Sequence, residues 1–389
     1  MQRIADIDTW ILSQERTEDG FCEAADFLNQ EYGNSKIGLR WSRELFSWKI
    51  GTLNPAGPGL LICARLKGKI VGSVSLTVKR LQYRGSEYRV AEIGDVYTSK
   101  ALLTKSAYGE YKCASEYRGT FRESEYLNSS IFGRLAADVI DRAAALGVVA
   151  IYGTPSAQSL PAFTKRLGFR LIDQNRIGSR VLLTAKLISW KFTILRSAES
   201  LFGLVINVAS TILLAIPTIG LRDCQIVELQ EPAGTEFDTL WGKVAHGGIG
   251  ASVIKDKTWI SWRYQSHPDS VYKIVTLRIR ETLVAWIVLK IHSGDDGQRT
   301  IFVCDWLFHG AARQFSAFML HVLKAEQYQR ATVRFWSRDD TQLISRMLSL
   351  FPLKVRSVDL IFRRVTNTEN IFLEDELFEE FALGDSDNV

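Results

Sequence analysis

The chain is poor in cysteine, and its cysteines do not form a metal-binding pattern. There are five of them, and no Cys-x-x-Cys pair occurs. An odd, dispersed set is typical of free thiols in a reducing compartment and argues against structural zinc. Because no cluster of His, Cys and carboxylates suggests another ion, we expect no metal site. The five are Cys22, Cys63, Cys113, Cys224 and Cys304.

Motifs that define several other protein classes are also missing. The chain has no Gly-x-Ser-x-Gly turn of a hydrolase and no P-loop lysine motif. It has no zinc finger, RNA-recognition signature or continuous basic helix, so we expect no nucleic-acid partner. The first residues lack an apolar signal core, which predicts a cytoplasmic protein.

Positive charge is unevenly distributed along the chain. The net charge is +5, yet residues 369–389 contain eight acidic residues and neither Lys nor Arg. Removing those eight charges leaves +13 on residues 1–368. Such a basic body suits anionic ligands such as coenzyme A, nucleotide sugars, acidic glycans or a membrane surface. The acidic tail either docks on the basic body as an amphipathic segment or remains solvated.

One long segment, residues 200–221, lacks charge and is mostly apolar. Its length is sufficient to cross a bilayer, but Asn207, Ser210 and Pro217 weaken that interpretation. We expect a buried helix between two domains. Attachment of residues 200–221 to a membrane surface is the first alternative, and a true membrane span is the second.

Length and pattern together indicate two domains. A chain of 389 residues exceeds the usual size of one domain. The second half repeats part of the order of elements in the first, with a strand, a hairpin, a helix and a last strand between residues 271 and 336. We predict domains at residues 1–185 and 235–368, an apolar helical linker at 186–234 and an acidic tail at 369–389.

The first half contains a possible phosphate-binding corner. A polar turn, Tyr126-Leu-Asn-Ser-Ser130, precedes an amphipathic helix that Gly147 ends. Free backbone N–H groups at such a helix start can bind a phosphate. A strand at Ile151, a short helix and the sequence Lys165-Arg-Leu-Gly-Phe169 follow.

Together with Asn54-Pro-Ala-Gly57 and Gly94-Asp-Val-Tyr97, these segments resemble the GNAT acyltransferase superfamily. The resemblance is greatest to tandem members associated with bacterial surface-polysaccharide synthesis. It covers residues 37–185 well and residues 235–365 moderately. It implies two tandem α/β domains joined by an apolar helix, each with a mixed, mostly antiparallel sheet flanked by helices.

The resemblance also implies acetyl-CoA as cosubstrate, bound between two splaying strands. Its diphosphate would lie on backbone amides before the helix. The usual Arg-Gly-x-Gly turn is replaced here by residues 127–130, in which Asn can adopt left-handed geometry and Ser can donate to phosphate. The predicted cofactor-binding residues are Val96, Tyr97, Leu127, Asn128, Ser129, Ser130, Ile131, Phe132, Ser156 and Ser159.

Acyl transfer to an amine needs a group that removes a proton. Glu92 and Asp95 are the candidates, with a structural role as the alternative for each. They lie three residues apart, so on an ideal strand they face opposite sides. Thr164 stands where many relatives have a Tyr as general acid, and the nearby polar alternatives are Tyr152, Ser156 and Ser159.

The second half has no recognisable phosphate turn, so we predict that it shapes the acceptor site. Its candidate substrate-binding residues are Trp262, Arg263, His267 and Asp305. His267 either contacts a sugar, acts as a base or orients a loop. The predicted reaction is acetyl transfer, by direct attack, to an amino sugar, sugar nucleotide or glycan precursor. The alternatives are an aminoacyl-tRNA-dependent transferase and a non-catalytic scaffold in a polysaccharide-biosynthesis complex.

Overall fold

A computed structural model of the chain describes twelve stretches of sequence. They are residues 11–32, 41–99, 131–157, 159–172, 177–182, 221, 223–246, 250–294, 299–326, 331–338, 352–357 and 359–365. The predicted turn at 127–130, nearly all of the apolar segment at 200–221 and the acidic tail at 369–389 lie outside these ranges.

The chain divides into two compact units, and both are discontinuous in sequence. The first comprises Met1–Leu81, Tyr88–Ile172 and Leu360–Phe372. The second comprises Gln82–Glu87, Asp173–Asp359 and Leu373–Val389.

Helices and strands follow one another in a similar order in the two halves. The first half has β1 (Ile11–Gln14), α1 (Glu18–Tyr32), α2 (Arg43–Ile50), β2 (Leu60–Leu66), β3 (Lys69–Tyr83), β4 (Ser86–Thr98), α3 (Ile131–Ala143), β5 (Val148–Gly153), α4 (Leu160–Arg166), β6 (Arg170–Ile172) and β7 (Ile177–Leu182). The second half has β8 (Cys224–Glu228), α5 (Glu236–His246), β9 (Ser252–Val253), α6 (Lys257–Ile260), β10 (Lys273–Ile279), β11 (Thr282–Ser293), β12 (Arg299–Phe308), α7 (Ala312–Ala325), β13 (Ala331–Arg338), β14 (Pro352–Ser357) and β15 (Leu360–Arg364).

Local sequence explains where several of these elements begin and end. The Ser42 hydroxyl accepts a hydrogen bond from the Leu45 N–H at 3.0 Å and caps the start of α2. Helix α3 passes into a short 3-10 turn, which ends at Gly147 with a left-handed backbone. The prediction that Gly147 ends this helix is confirmed.

The first sheet has the strand order β1-β2-β3-β4-β5-β15-β6. Strands β4 and β5 are parallel, whereas β15 is antiparallel to both β5 and β6. Helices α3 and α4 cover an aliphatic core on one face, which includes Leu135, Val139 and Phe163. Helices α1 and α2 cover the other face around Leu28 and Phe46.

The second sheet has the strand order β14-β7-β13-β12-β11-β10-β8. Strands β12 and β13 are parallel. Residues of α7, including Phe315, Phe318 and Met319, pack with Ile287 and Leu289 of β11 on one face. The prediction of mixed, mostly antiparallel sheets flanked by helices is therefore confirmed.

The two strand orders given above match position by position, and along each order one strand comes from the opposite half of the chain. Strand β15 takes the place in the first sheet that β7 takes in the second. The sequence-based boundaries at 185 and 235 did not include this exchange, which makes both units discontinuous. At the described end of the predicted helical linker, residues 224–228 form strand β8.

Gly72 permits a close approach of α3 to the first sheet, and its substitution gives a testable prediction. A Cβ on Gly72 would lie 2.8 Å from Ile131 Cγ2 and 3.0 Å from Leu135 Cδ1. We expect Gly72→Ala to lower the free energy of unfolding by about 1–3 kcal/mol through overpacking. Urea denaturation followed by circular dichroism would measure it.

Gly94→Ala is the matched control for Gly72→Ala. A Cβ on Gly94 would meet only the Ser75 hydroxyl oxygen, at an ordinary 3.6 Å. We expect a change within about 0.5 kcal/mol for this variant. Equal stabilities of the two variants would contradict the close contact between α3 and β3.

Candidate functional site

The parallel ladder between strands β4 and β5 ends at the middle of the first sheet. Their described ladder runs from Arg89–Val148 to Glu92–Tyr152, and β4 continues to Thr98 beyond the last pair. Main-chain groups of residues 93–98 on the β5 side of β4 therefore lie beyond the ladder. Such groups need other hydrogen-bond partners, which an amide-containing ligand can supply.

The start of α3 lies close to this end of β4. The Cβ position of Gly72 is 2.8 Å from Ile131 Cγ2 and 3.2 Å from the main-chain oxygen of Tyr97. Val96 and Phe132 pack against the same apolar core. The structure thus brings together four of the predicted cofactor-binding residues. The predicted residues Leu127, Asn128, Ser129 and Ser130 lie outside the described ranges.

Asp95 is held by side chains from three other parts of the first unit. Its Oδ1 accepts a hydrogen bond from Trp41 Nε1 at 2.7 Å, and its Oδ2 accepts from the Lys49 ammonium and the Ser75 hydroxyl. Its backbone has φ +48°, a left-handed conformation. Asp95 therefore joins α2 and β3 to an irregular point of β4.

Glu92 forms a second buried ion pair. Its Oε2 is 2.5 Å from Lys79 Nζ, and both side chains are almost fully buried. The Lys79 ammonium also lies 5.6 Å from the ring centroid of Tyr152, which has no exposed surface.

The expectation that Glu92 and Asp95 face opposite sides of the strand is wrong. Glu92 contacts Lys79 and Asp95 contacts Ser75, and these two residues of β3 share one face. The left-handed backbone at Asp95 interrupts the alternation of an ideal strand. Protonation of either carboxylate would leave a buried lysine without its counterion, which is costly. This geometry favours a positioning role for both.

Other predicted residues of the first half have defined contacts. The Tyr97 hydroxyl donates to Glu31 Oε2 at 3.3 Å. Burial, together with the Glu31 charge, raises the pKa of Tyr97 to about 12, so this hydroxyl remains protonated at neutral pH. Ser156 and Ser159 lie in the turn before α4, with their hydroxyl oxygens 3.0 Å apart.

The second unit also has a parallel ladder that ends before β12 does, and a buried aspartate. The described β12–β13 ladder ends at Val303–Phe335, and the pairing of β12 with β11 shifts register before Asp305. The Asp305 carboxylate accepts hydrogen bonds from Lys255 Nζ at 2.7 Å, Trp259 Nε1 at 3.0 Å and the Tyr264 hydroxyl at 2.8 Å.

The predicted substrate-binding residues therefore differ in accessibility. Asp305, Trp262 and Arg263 are buried, and Trp262 packs on Trp259 with ring centroids 5.6 Å apart. His267 is partly exposed, and its Nδ1 accepts a hydrogen bond from the Asp269 N–H at 3.1 Å. Asp305 thus lies beneath the surface, whereas His267 organises its own loop.

The structure also shows a strand–turn–helix corner in the second unit that the sequence reasoning missed. Strand β12 ends at Phe308, Gly310 has φ +128°, and α7 begins at Ala312. A Cβ on Gly310 would meet no described atom within 4 Å. The small residues Gly310-Ala-Ala before an amphipathic helix were the available signal.

Within the described residues, no group of three or more His, Cys, Asp or Glu residues is arranged to hold a metal ion. No helix in the same ranges is both long and apolar enough for a bilayer crossing.

Comparison with known proteins identifies the fold. No protein-family model and no curated protein sequence matches the chain. A GCN5-related N-acetyltransferase from Anabaena variabilis matches 92% of this chain and 73% of its own length, with TM-score 0.53 and 13% identity. N-myristoyltransferase from Saccharomyces cerevisiae with bound myristoyl-CoA matches 93% of this chain and 79% of its own, with TM-score 0.56 and 12% identity. The chain therefore has the fold of the GCN5-related N-acetyltransferases, the GNAT fold.

Proposed function

We propose that the protein is an acyl-CoA-dependent acyltransferase. The end of the β4–β5 ladder at Glu92–Tyr152, beyond which β4 continues next to the start of α3, is the observation that carries the proposal. The similar structures support it, since they include N-acetyltransferases and an N-myristoyltransferase with bound myristoyl-CoA. We propose acetyl-CoA as the donor and two acyltransferase-like halves in tandem.

The first unit supplies the donor site in this proposal. Main-chain groups of residues 93–98 hydrogen-bond the pantetheine arm and the thioester oxygen. The first turn of α3 has no acidic residue, so its amides are suited to the diphosphate. Asp95 and Glu92 keep β4 in its irregular path through their lysine partners.

The acceptor is an amino group of a sugar, a sugar nucleotide or a glycan precursor, attacked directly by the acceptor nitrogen. The charge of +13 on residues 1–368 supports an anionic donor and acceptor. We propose that the second unit contributes the acceptor site, through the region around Arg263 and His267.

Two matched variants test which corner binds the donor. Ser130→Asp and Ala311→Asp each place a carboxylate directly before a helix, where Asp is a favoured capping residue. We expect Ser130→Asp to weaken acetyl-CoA binding at least tenfold by repelling the diphosphate, and Ala311→Asp to leave the affinity unchanged. Isothermal titration calorimetry measures both.

Other results of this titration have defined meanings. Weaker acetyl-CoA binding by Ala311→Asp, with unchanged binding by Ser130→Asp, would assign the donor site to the second unit. If the unmodified protein binds neither acetyl-CoA nor myristoyl-CoA saturably at millimolar concentration, the acyltransferase proposal fails. Tighter binding of myristoyl-CoA than of acetyl-CoA would indicate that the donor carries a long acyl chain instead of an acetyl group.

A non-catalytic scaffold is the second candidate. The observation in its favour is that Glu92 and Asp95 each balance a buried lysine. Absence of acyl-CoA binding would support this candidate.

A further inference from the structure

Gly153 is the last residue of β5 and follows directly on the end of the β4–β5 ladder. The last described pair of that ladder is Glu92–Tyr152. Gly153 therefore comes next to Ile93, which is the first residue of β4 beyond this pair. In the proposed function, the donor segment of β4, residues 93–98, begins at this point.

Space, and not backbone conformation, requires a glycine at position 153. The backbone of Gly153 is outside the left-handed region that favours glycine. A Cβ on Gly153 would lie 2.8 Å from Ile93 Cγ2 and 3.2 Å from the Ile93 main-chain oxygen. Real Cβ atoms essentially never approach another heavy atom within 3.0 Å. A side chain at this position must therefore displace either Ile93 or β5.

The contact between Gly153 and Ile93 cannot relax by a movement of the isoleucine side chain alone. Isoleucine is β-branched and stiff about χ1, and its Cγ2 is attached directly to Cβ. Ile93 is also buried in the aliphatic core that α3 and α4 cover. On the other edge of β5, Gly153 is paired with Ile361 of β15. The adjustment to a side chain at position 153 therefore falls on the main chain of Ile93.

We propose that Gly153 is a positioning residue for the acyl-CoA donor. Because it has no side chain, the Ile93 main-chain oxygen can lie close against β5, on the side of β4 that holds the pantetheine arm in the proposed function. Hydrogen bonds to the main chain weaken steeply when distances and angles leave their narrow range. Displacement of Ile93 thus weakens donor binding. This inference rests on the proposed acyltransferase function.

Gly153→Ala tests the proposal with two ligands that share the nucleotide part of coenzyme A. Acetyl-CoA carries the pantetheine arm, whereas 3′-phosphoadenosine diphosphate lacks it. We expect Gly153→Ala to bind acetyl-CoA about tenfold more weakly than the unmodified chain does. Binding of the nucleotide should be unchanged, because only the pantetheine arm reaches Ile93. Isothermal titration calorimetry on the full chain measures both affinities.

Leu28→Ala and Gly242→Ala are the control variants. Leu28 is fully buried beneath α1 on the other face of the first sheet, so its truncation costs stability away from β5. A Cβ on Gly242, in α5, would meet no described atom within 4 Å outside its own helix. We expect both variants to keep acetyl-CoA affinity within about twofold, since distant sites act independently. A loss in Leu28→Ala as large as that in Gly153→Ala would overturn the proposal.

A double-mutant cycle identifies the contact itself. Ile93→Ala removes Cγ2, the atom that lies closest to a methyl group at position 153. We expect Gly153→Ala with Ile93→Ala to lose less acetyl-CoA affinity than the two single variants lose in sum, because residues in contact are coupled. Additive losses would show that Gly153 does not act through Ile93.

Failure of this inference differs from failure of the proposed function. Equal acetyl-CoA affinity in Gly153→Ala and the unmodified chain would overturn the positioning role and leave an acyl-CoA-binding protein. Equal weakening of acetyl-CoA and of the nucleotide would show a general distortion and would also overturn the role. If the unmodified chain binds no acetyl-CoA saturably, the acyltransferase proposal fails, and the positioning role fails with it.

Discussion

Replacing Asp305 by Asn is expected to lower the free energy of unfolding by about 3–5 kcal/mol, because it leaves a buried ammonium uncompensated. Lys255 Nζ lies 2.7 Å from the carboxylate, and the two side chains are 1% and 0% exposed. Trp259 and Tyr264 donate to the same group and would lose a charged acceptor. The loss therefore affects the connection between β12 and the segment around α6.

Urea unfolding followed by tryptophan fluorescence would measure the effect of Asp305→Asn. Glu228→Gln is the control. It breaks the ion pair between Glu228 and Lys273, in which the Glu228 side chain is 43% exposed. We expect the control to cost less than about 1 kcal/mol. Equal, small losses in the two variants would contradict a buried ion pair at Asp305.

A double-mutant cycle tests the partner directly. Lys255→Gln combined with Asp305→Asn removes both charges, so its cost should be smaller than the sum of the two single costs. Additive costs would show that the two groups act independently.

Replacing Glu92 by Gln should have a comparable effect on the first unit. The Lys79–Glu92 pair has side chains 0% and 2% exposed, so we expect a loss of about 3–5 kcal/mol in the free energy of unfolding. Replacing both residues by Met, in the double variant Lys79→Met with Glu92→Met, should recover most of the lost stability. Well-packed apolar groups often replace buried ion pairs at little cost.

The double variant also separates positioning from proton transfer. We expect acetyl-CoA affinity to recover with stability, because the pair holds β3 to β4. Release of the coenzyme A thiol with a panel of amino sugars gives the rate. If stability returns while kcat stays low at unchanged KM, Glu92 is the proton acceptor and the positioning role is wrong.

The sequence predicted the elements that depend on short-range pattern. The apolar spacing of residues 131–146, ended by Gly147, predicted a helix that the structure shows as α3 and a short 3-10 turn. The resemblance to the GNAT acyltransferases, rather than this pattern, selected Val96 and Tyr97, which the structure places near the end of β4.

The ion pairs between buried carboxylates and lysines could not be predicted in this way. The partner of Asp95 lies 46 residues away, and that of Asp305 lies 50 residues away. Charged residues are common along the chain, so spacing alone does not select a pair. The left-handed backbone at Asp95 also interrupts the alternation of side chains between the two faces of an ideal strand, so the facing of Asp95 could not be predicted from spacing.

What the sequence determined by itself is the type and approximate extent of most elements, because periodic burial and helix-ending residues act within a few positions. The tertiary structure alone decided which strand joins which sheet. Strand β7 joins the second sheet and strand β15 joins the first. This is possible because main-chain hydrogen bonds can form with any strand of suitable length and register. It also decided which carboxylates pair with the buried lysines Lys49, Lys79 and Lys255, since folding and not sequence spacing determines which charged groups are buried together.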